Sequence, residues 1–161
     1  MTHPQIGDKA PQFTLTDTNL KPQSLREFEG QKVVLAFFIG TFTSACTKEV
    51  CIFRDSMSRL INLKAQVIGI SVNDPVSNKA FAEKNRLNFP ILSDYNREVT
   101  ETYNLQFYDL ERALEIKCRL KTKRAIFVLD KRGIIRYVWV TEDPTVEPDY
   151  QAIERALKKI D

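Results

Sequence analysis

The run Val33-Val34-Leu35-Ala36-Phe37-Phe38 is apolar at every position, so neither side of such a strand can face water. A strand of that kind belongs inside a sheet covered on both faces. The residues after it, Ile39-Gly40-Thr41-Phe42-Thr43-Ser44-Ala45-Cys46, supply a glycine turn, hydroxyl residues able to cap a helix, and then a thiol. That order puts Cys46 where the first helical turn offers unpaired backbone N–H groups to an anion. A thiolate is such an anion.

The rest of the chain alternates strand and helix signals. Phe13 to Asp17 alternates like a strand, Thr18 to Pro22 reads as a turn and Ser24 to Phe28 as a short helical piece, an N-terminal β-hairpin extension. From Thr43 a long helix is expected, with Cys46, Val50, Phe53, Met57, Leu60 and Ile61 recurring at helical spacing. Val67 to Val72 reads as a second buried strand, and Asn73-Asp74-Pro75 as the capped start of a helix running to about Arg86. A short strand near Phe89 to Leu92, a polar turn at Ser93 to Asn96 and a helix from Arg97 to Tyr103 follow. Leu105 to Thr122 carries no clear pattern, whereas Ala125 to Asp130 and Ile134 to Val140 form a hairpin about Lys131-Arg132-Gly133. A loop with Pro144 and Pro148 leads to a closing helix, Tyr150 to Ile160. The pattern predicts an α/β fold, a central mixed β-sheet with helices on both faces, in a single domain over residues 1–161.

The net charge of +3 comes from 24 basic and 21 acidic residues mixed along the chain, which provides no basic face for nucleic acid or an anionic membrane. No apolar run approaches membrane-spanning length, and the first residues lack the charged and apolar stretches of a secretory signal. A cytoplasmic protein is expected. Cys46, Cys51 and Cys118 are too few for a disulfide framework at this size, which leaves reactive thiols or core packing.

A free cysteine ionises near pH ~8.5, and a helix N-terminus beside a cation can bring that to roughly 3.5–7.5. With Thr43 as N-cap, Cys46 is the third helical residue and lies close to unpaired donors. Cys51 follows five residues later, about 7.5 Å along an intact helix and on another side of it. A disulfide needs Cα atoms within about 7 Å, so the two sulfurs can join only if the first turns unwind, and a mobile helix start is expected. The spacing suits zinc poorly, His3 and Cys118 do not complete a ligand set, and His3 reads as a tail residue.

Gly40 to Asp55, with Cys46 and Cys51 at this spacing, resembles the active-site segment of the peroxiredoxins, the AhpC/TSA superfamily, and within it the bacterioferritin-comigratory or Q-type subgroup. The resemblance extends from Gly7-Asp8-Lys9-Ala10-Pro11, through Asp94, to Lys123-Arg124-Ala125 and the hairpin beyond. It implies a thioredoxin-like fold and reduction of hydroperoxides without metal or organic cofactor. It further implies Cys46 as the thiolate that attacks the O–O bond, Cys51 as the thiol that resolves the sulfenic acid, and a thioredoxin-like protein as reductant. Thr43 matches the threonine that bonds sulfur and peroxide, Arg124 the arginine near the sulfur, and Glu49 a residue that orients that arginine. Read without the resemblance, Thr43 is a cap, Arg124 a strand-edge cation and Glu49 a solvated helix residue.

The motif departs from the family at Ile39, where a proline is the rule. Cys118 reads either as core filler or as a second resolving thiol. Apolar residues near Phe42 and at Phe107-Tyr108 leave both monomer and homodimer open. A peroxide sensor or chaperone-like protein using the same oxidisable Cys46 is the alternative to an enzyme.

Overall fold

In the computed structural model the described residues are 2–38, 40–106, 122–143 and 145–160. Ile39, Phe107, Tyr108 and Cys118 lie outside them. Seven strands form one sheet in the order β2-β1-β5-β4-β3-β6-β7. They are β1 Thr14–Thr16, β2 Pro22–Ser24, β3 Lys32–Phe37, β4 Ala65–Ser71, β5 Ile91–Ser93, β6 Arg124–Leu129 and β7 Ile135–Thr141. The helices are α1 Ser44–Asn62, α2 Pro75–Lys84, α3 Glu98–Thr102 and α4 Tyr150–Lys158, with a 3-10 turn at Leu25–Phe28. The hairpin of β1 and β2 is the expected N-terminal extension.

β3 lies at the centre, parallel to β4 and antiparallel to β6, and every one of its residues is buried. Its side chains alternate between two cores, as the pleat requires. Val34, Ala36 and Phe38 face a cluster built with Cys46, Val50, Phe53, Met57 and Leu60 of α1, Phe81 of α2, and Ile153 and Leu157 of α4. Val33, Leu35 and Phe37 face Leu25, Val99, Tyr103 and Leu105 on the other side. Helices therefore cover both faces, and each fully buried large side chain contributes about 1.5–3 kcal/mol.

Three expectations change. Ile61 is 62% exposed, because it sits ~100° round the helix from Leu60 and off the stripe that runs from Cys46 to Leu60. α2 stops at Lys84, where Asn85 caps it and Arg86 turns left-handed at φ 51°. His3 is part-buried, its ring edge-on to Phe127 at 6.2 Å, so it is a packed residue and not a loose tail. The Asp74 cap behaves as its motif requires, accepting from Ser77 N at 2.9 Å with Pro75 at the first helical position.

Asp94 organises the turn between β5 and α3. Its buried carboxylate accepts from the N–H groups of Val99 and Thr100, at 3.1 and 2.7 Å, and from the Thr100 hydroxyl at 2.7 Å. Asp94→Ala strands these donors in a dry setting and is expected to cost about 2 kcal/mol. Urea unfolding of the two proteins at equal slope provides the check, and a midpoint within error of wild type contradicts the assigned role.

Candidate active site

Thr43 is the N-cap of α1 in extended conformation, φ −74° and ψ 145°, so Cys46 is the third helical residue and is 1% exposed. The loop before it is fixed by tertiary contacts. Thr41 N–H donates to Asn73 Oδ1 at 2.9 Å, and a Cβ at Gly40 would come within 3.4 Å of the same oxygen. Phe42 takes φ 65°, an uncommon conformation for a non-glycine residue. Its half-exposed ring stands edge-on to Phe81 at 5.2 Å, with the Lys84 ammonium 5.9 Å above it. The Thr43 hydroxyl donates to the Gly40 carbonyl at 3.0 Å instead of capping the helix.

Glu49, one turn beyond Cys46, is buried, and so is Arg124 at the start of β6. Arg124 Nη2 donates to Glu49 Oε2 at 2.5 Å and Nη1 to the Val146 carbonyl at 2.7 Å. Burial works against the Arg124 charge, but Glu49, then Cys46 and Tyr150, more than offset it and hold the guanidinium above its usual range. Burial pushes the Glu49 carboxyl up to about 7; Arg124 pulls it down without prevailing, and Glu147 adds to the rise. Glu49 Oε1 has no hydrogen-bond partner among the described residues.

Cys46, Glu49 and Arg124 thus come together, with Thr43 on the loop that enters the helix. Cys51 is half-buried on the same intact helix, its Sγ 3.7 Å from Asn85 Oδ1, and both cysteines are free thiols. A buried sulfur thus sits at a helix N-terminus close to a fixed guanidinium, an arrangement able to steady negative charge that grows beside it.

Residues 6–138 match the AhpC/TSA family. The chain belongs to that family. It is similar to the chloroplastic peroxiredoxin Q of Triticum aestivum, 41% identical over 133 residues that make up 83% of this chain and 58% of that protein. The chloroplastic peroxiredoxin Q of Sedum lineare is 38% identical over 133 residues, 83% of this chain and 67% of its own. The chain spans 58% of the length of the first plant relatives it matches. The crystal structure of peroxidoxin BcpB from Mycobacterium tuberculosis superimposes with a TM-score of 0.82 at 28% identity, covering 97% of this chain and 96% of that one. Within this peroxiredoxin family the sheet with helices on both faces is the thioredoxin-like fold.

Sequence reasoning missed the segment that closes the Cys46 site from the far end of the chain. Besides the Val146 carbonyl, Glu147 pairs with Lys48 at 2.9 Å and accepts from the Tyr150 hydroxyl at 3.3 Å, while the Tyr150 ring stands edge-on to Phe53 at 5.6 Å. Burial, then Glu49 and Glu147, raise the Tyr150 hydroxyl above its usual range. No periodicity marks a backbone carbonyl; an aromatic at the first residue of the closing helix was the available signal.

Glu49 has a consequence for stability. Its folded value lies above that of an unfolded glutamate, near ~4.3, so its contribution is fully present below that pH and is lost as pH rises through about 7. Relative to Glu49→Gln, wild type is expected to lose on the order of 3 kcal/mol between pH 4.5 and 8. Denaturant unfolding of both proteins across that range tests it. A wild type that gains on the variant as pH rises shows that Arg124 outweighs burial.

Proposed function

We propose that the protein is a thiol-dependent peroxidase that reduces hydrogen peroxide and organic hydroperoxides. The observation that carries this reading is the buried Cys46 at the third position of α1, in the field of an Arg124 that Glu49 and the Val146 carbonyl hold in place. The names of the peroxiredoxin relatives point the same way.

The Cys46 thiolate attacks one peroxide oxygen in line with the O–O bond. A S–O bond forms, the O–O bond breaks, and the departing oxygen takes a proton to leave as water or alcohol; the sulfur is oxidised to a sulfenic acid and the peroxide reduced. Arg124 supplies positive charge where the departing oxygen becomes negative, and Glu49 fixes the direction of its guanidinium. The Thr43 hydroxyl, whose proton goes to the Gly40 carbonyl, accepts a hydrogen bond from the peroxide O–H. Cys51 then attacks the sulfenic sulfur, giving a Cys46–Cys51 disulfide and water after the first turns of α1 unwind. A thioredoxin-like dithiol protein returns the pair to thiols.

No metal or organic cofactor enters any of these steps. The chain works as one domain, residues 1–161, as a monomer or, through the exposed Phe42 edge, as a homodimer. It works in a compartment that keeps thiols reduced, such as the cytoplasm. Among the described residues no helix is long and apolar enough to cross a membrane.

Cys46→Ser is expected to abolish hydroperoxide consumption. Cys51→Ser should consume one equivalent per chain and then stall with a thioredoxin-type donor, and Arg124→Met should lower kcat/KM about a hundredfold. A coupled peroxide assay, with mass spectrometry of the protein after one equivalent of oxidant, reads all three. Sustained turnover by Cys46→Ser disproves the proposal.

A further inference from the structure

Outside the Cys46 pocket, the second thiol has a seat of its own. Asn85, the residue that caps α2, donates its Nδ2 to the Phe81 carbonyl at 2.9 Å, which turns Oδ1 towards Cys51 Sγ at 3.7 Å. Arg54, one turn beyond Cys51 on α1, donates Nη1 to the Asn85 carbonyl at 2.6 Å and Nε to Asp55 at 2.9 Å. The Asp55 hydrogen bond, and with it the nearby Cys51 sulfur, raise the Arg54 guanidinium above its usual range. The residue that caps α2 therefore holds both the Cys51 side chain and the cation next to it.

We propose that Arg54 is a positioning residue for the second half-reaction, pinning α1 to the end of α2 at Asn85 and keeping a positive charge beside Cys51 while the turns in front of it unwind. The inference rests on Cys51 being the thiol that answers Cys46. In that step the Cys51 sulfur attacks the sulfenic sulfur, an S–S bond forms, the S–O bond breaks, and hydroxide leaves to become water with the proton that Cys51 gives up. Cys51 is oxidised and the sulfenic sulfur reduced. Unwinding must free residues 43 to about 51 without dragging the rest of α1 out of the core, where Phe53, Met57 and Leu60 are buried. Arg54 sits at that boundary. An anchor there limits the unwound stretch, and its charge lies near the sulfur that must lose its proton before it attacks.

The test uses the full chain in six forms: wild type, Arg54→Gln, Arg54→Lys, and each of these with Cys46→Ser. Rapid mixing with one equivalent of hydrogen peroxide, followed by acid quench and mass spectrometry, separates formation of the sulfenic acid from formation of the disulfide. Arg54→Gln is expected to leave the first rate unchanged and slow the second about tenfold, and Arg54→Lys to recover most of that loss. In the Cys46→Ser background, Arg54→Gln should also slow alkylation of Cys51 by iodoacetamide at neutral pH, with recovery in Arg54→Lys. Equal second-step and alkylation rates in folded Arg54→Gln overturn the proposal, as does slowing of both steps together, the mark of general damage to the fold. The alkylation arm does not depend on peroxidase chemistry. If wild type forms a different disulfide, the assignment of Cys51 fails by itself, and unchanged alkylation alone then removes Arg54.

Discussion

The buried pair of Arg124 and Glu49 is the joint on which the site hangs, since it ties the start of β6 to the second turn of α1 and, through the Val146 carbonyl, to the segment that leads into α4. Taking two charges out of water costs several kcal/mol for each, and such a pair is often outperformed in stability by apolar residues of the same volume. Its retention in a core otherwise built of Val, Ile, Leu and Phe is therefore better explained by chemistry than by stability. A guanidinium with two of its nitrogens already committed, to a carboxylate and a carbonyl, cannot swing, so its charge stays in the neighbourhood of Cys46. Glu49 bears the burial cost, visible in a carboxyl raised to about 7 and one oxygen without a hydrogen-bond partner among the described residues.

α1 faces conflicting demands. Its first turn must be intact to present backbone donors to the Cys46 sulfur, yet the same turn must open if the sulfurs of Cys46 and Cys51 are to meet. The contacts divide along that line. Beyond Cys51 the helix is fastened by buried Phe53, Met57 and Leu60 and by Arg54 on Asn85. Ahead of Cys51, Cys46 and Val50 are buried and Glu49 is tied to Arg124, but the entrance itself is held by Phe42 in a left-handed conformation, by a Thr43 whose side chain does not cap, and by an exposed Lys48 paired with Glu147. Surface pairs contribute little, a lost cap weakens a helix start, and strained backbone favours release. Local opening is drawn from such low-stability segments.

Most of the architecture was legible because it is written in periods of two and 3.6. β3, β4, β6 and β7 appear as apolar runs, α1 as a stripe from Cys46 to Leu60, and α2 as a cap followed by proline. The cysteine loop was legible too, because a strand, a glycine and a capping hydroxyl before a thiol specify the end of a sheet and the start of a helix. What stayed hidden depends on partners distant in the chain. Without the family resemblance Glu49 reads as a solvated helix residue, since its partner Arg124 lies 75 positions away. The Val146 carbonyl, Asn73 beneath Thr41 and Asn85 beside Cys51 are contacts of loops and caps, and hydrophobic pattern says nothing about them. Ile61 shows the converse limit: an apolar residue next to a stripe is not thereby part of it.

Topology accounts for why one end of the sheet collects every group that matters. β3 and β4 are parallel, so the loops leaving their carboxyl ends, with Gly40 to Thr43 and with Asn73 and Asp74, emerge side by side. Clefts at the carboxyl ends of parallel strands are the usual place for ligands in α/β sheets. β6 runs the other way, and Phe37 opposite Ala125 places Arg124 at that same end, level with the residue that follows β3. Had β6 been parallel to β3, its first residue would lie at the far end of the sheet, some 20 Å from the thiol at the rise of a six-residue strand. The antiparallel crossing is thus what lets a residue 78 positions beyond Cys46 share its pocket. A fold that reverses one strand beside a parallel pair brings a cation to a helix N-terminus without any long excursion of the chain.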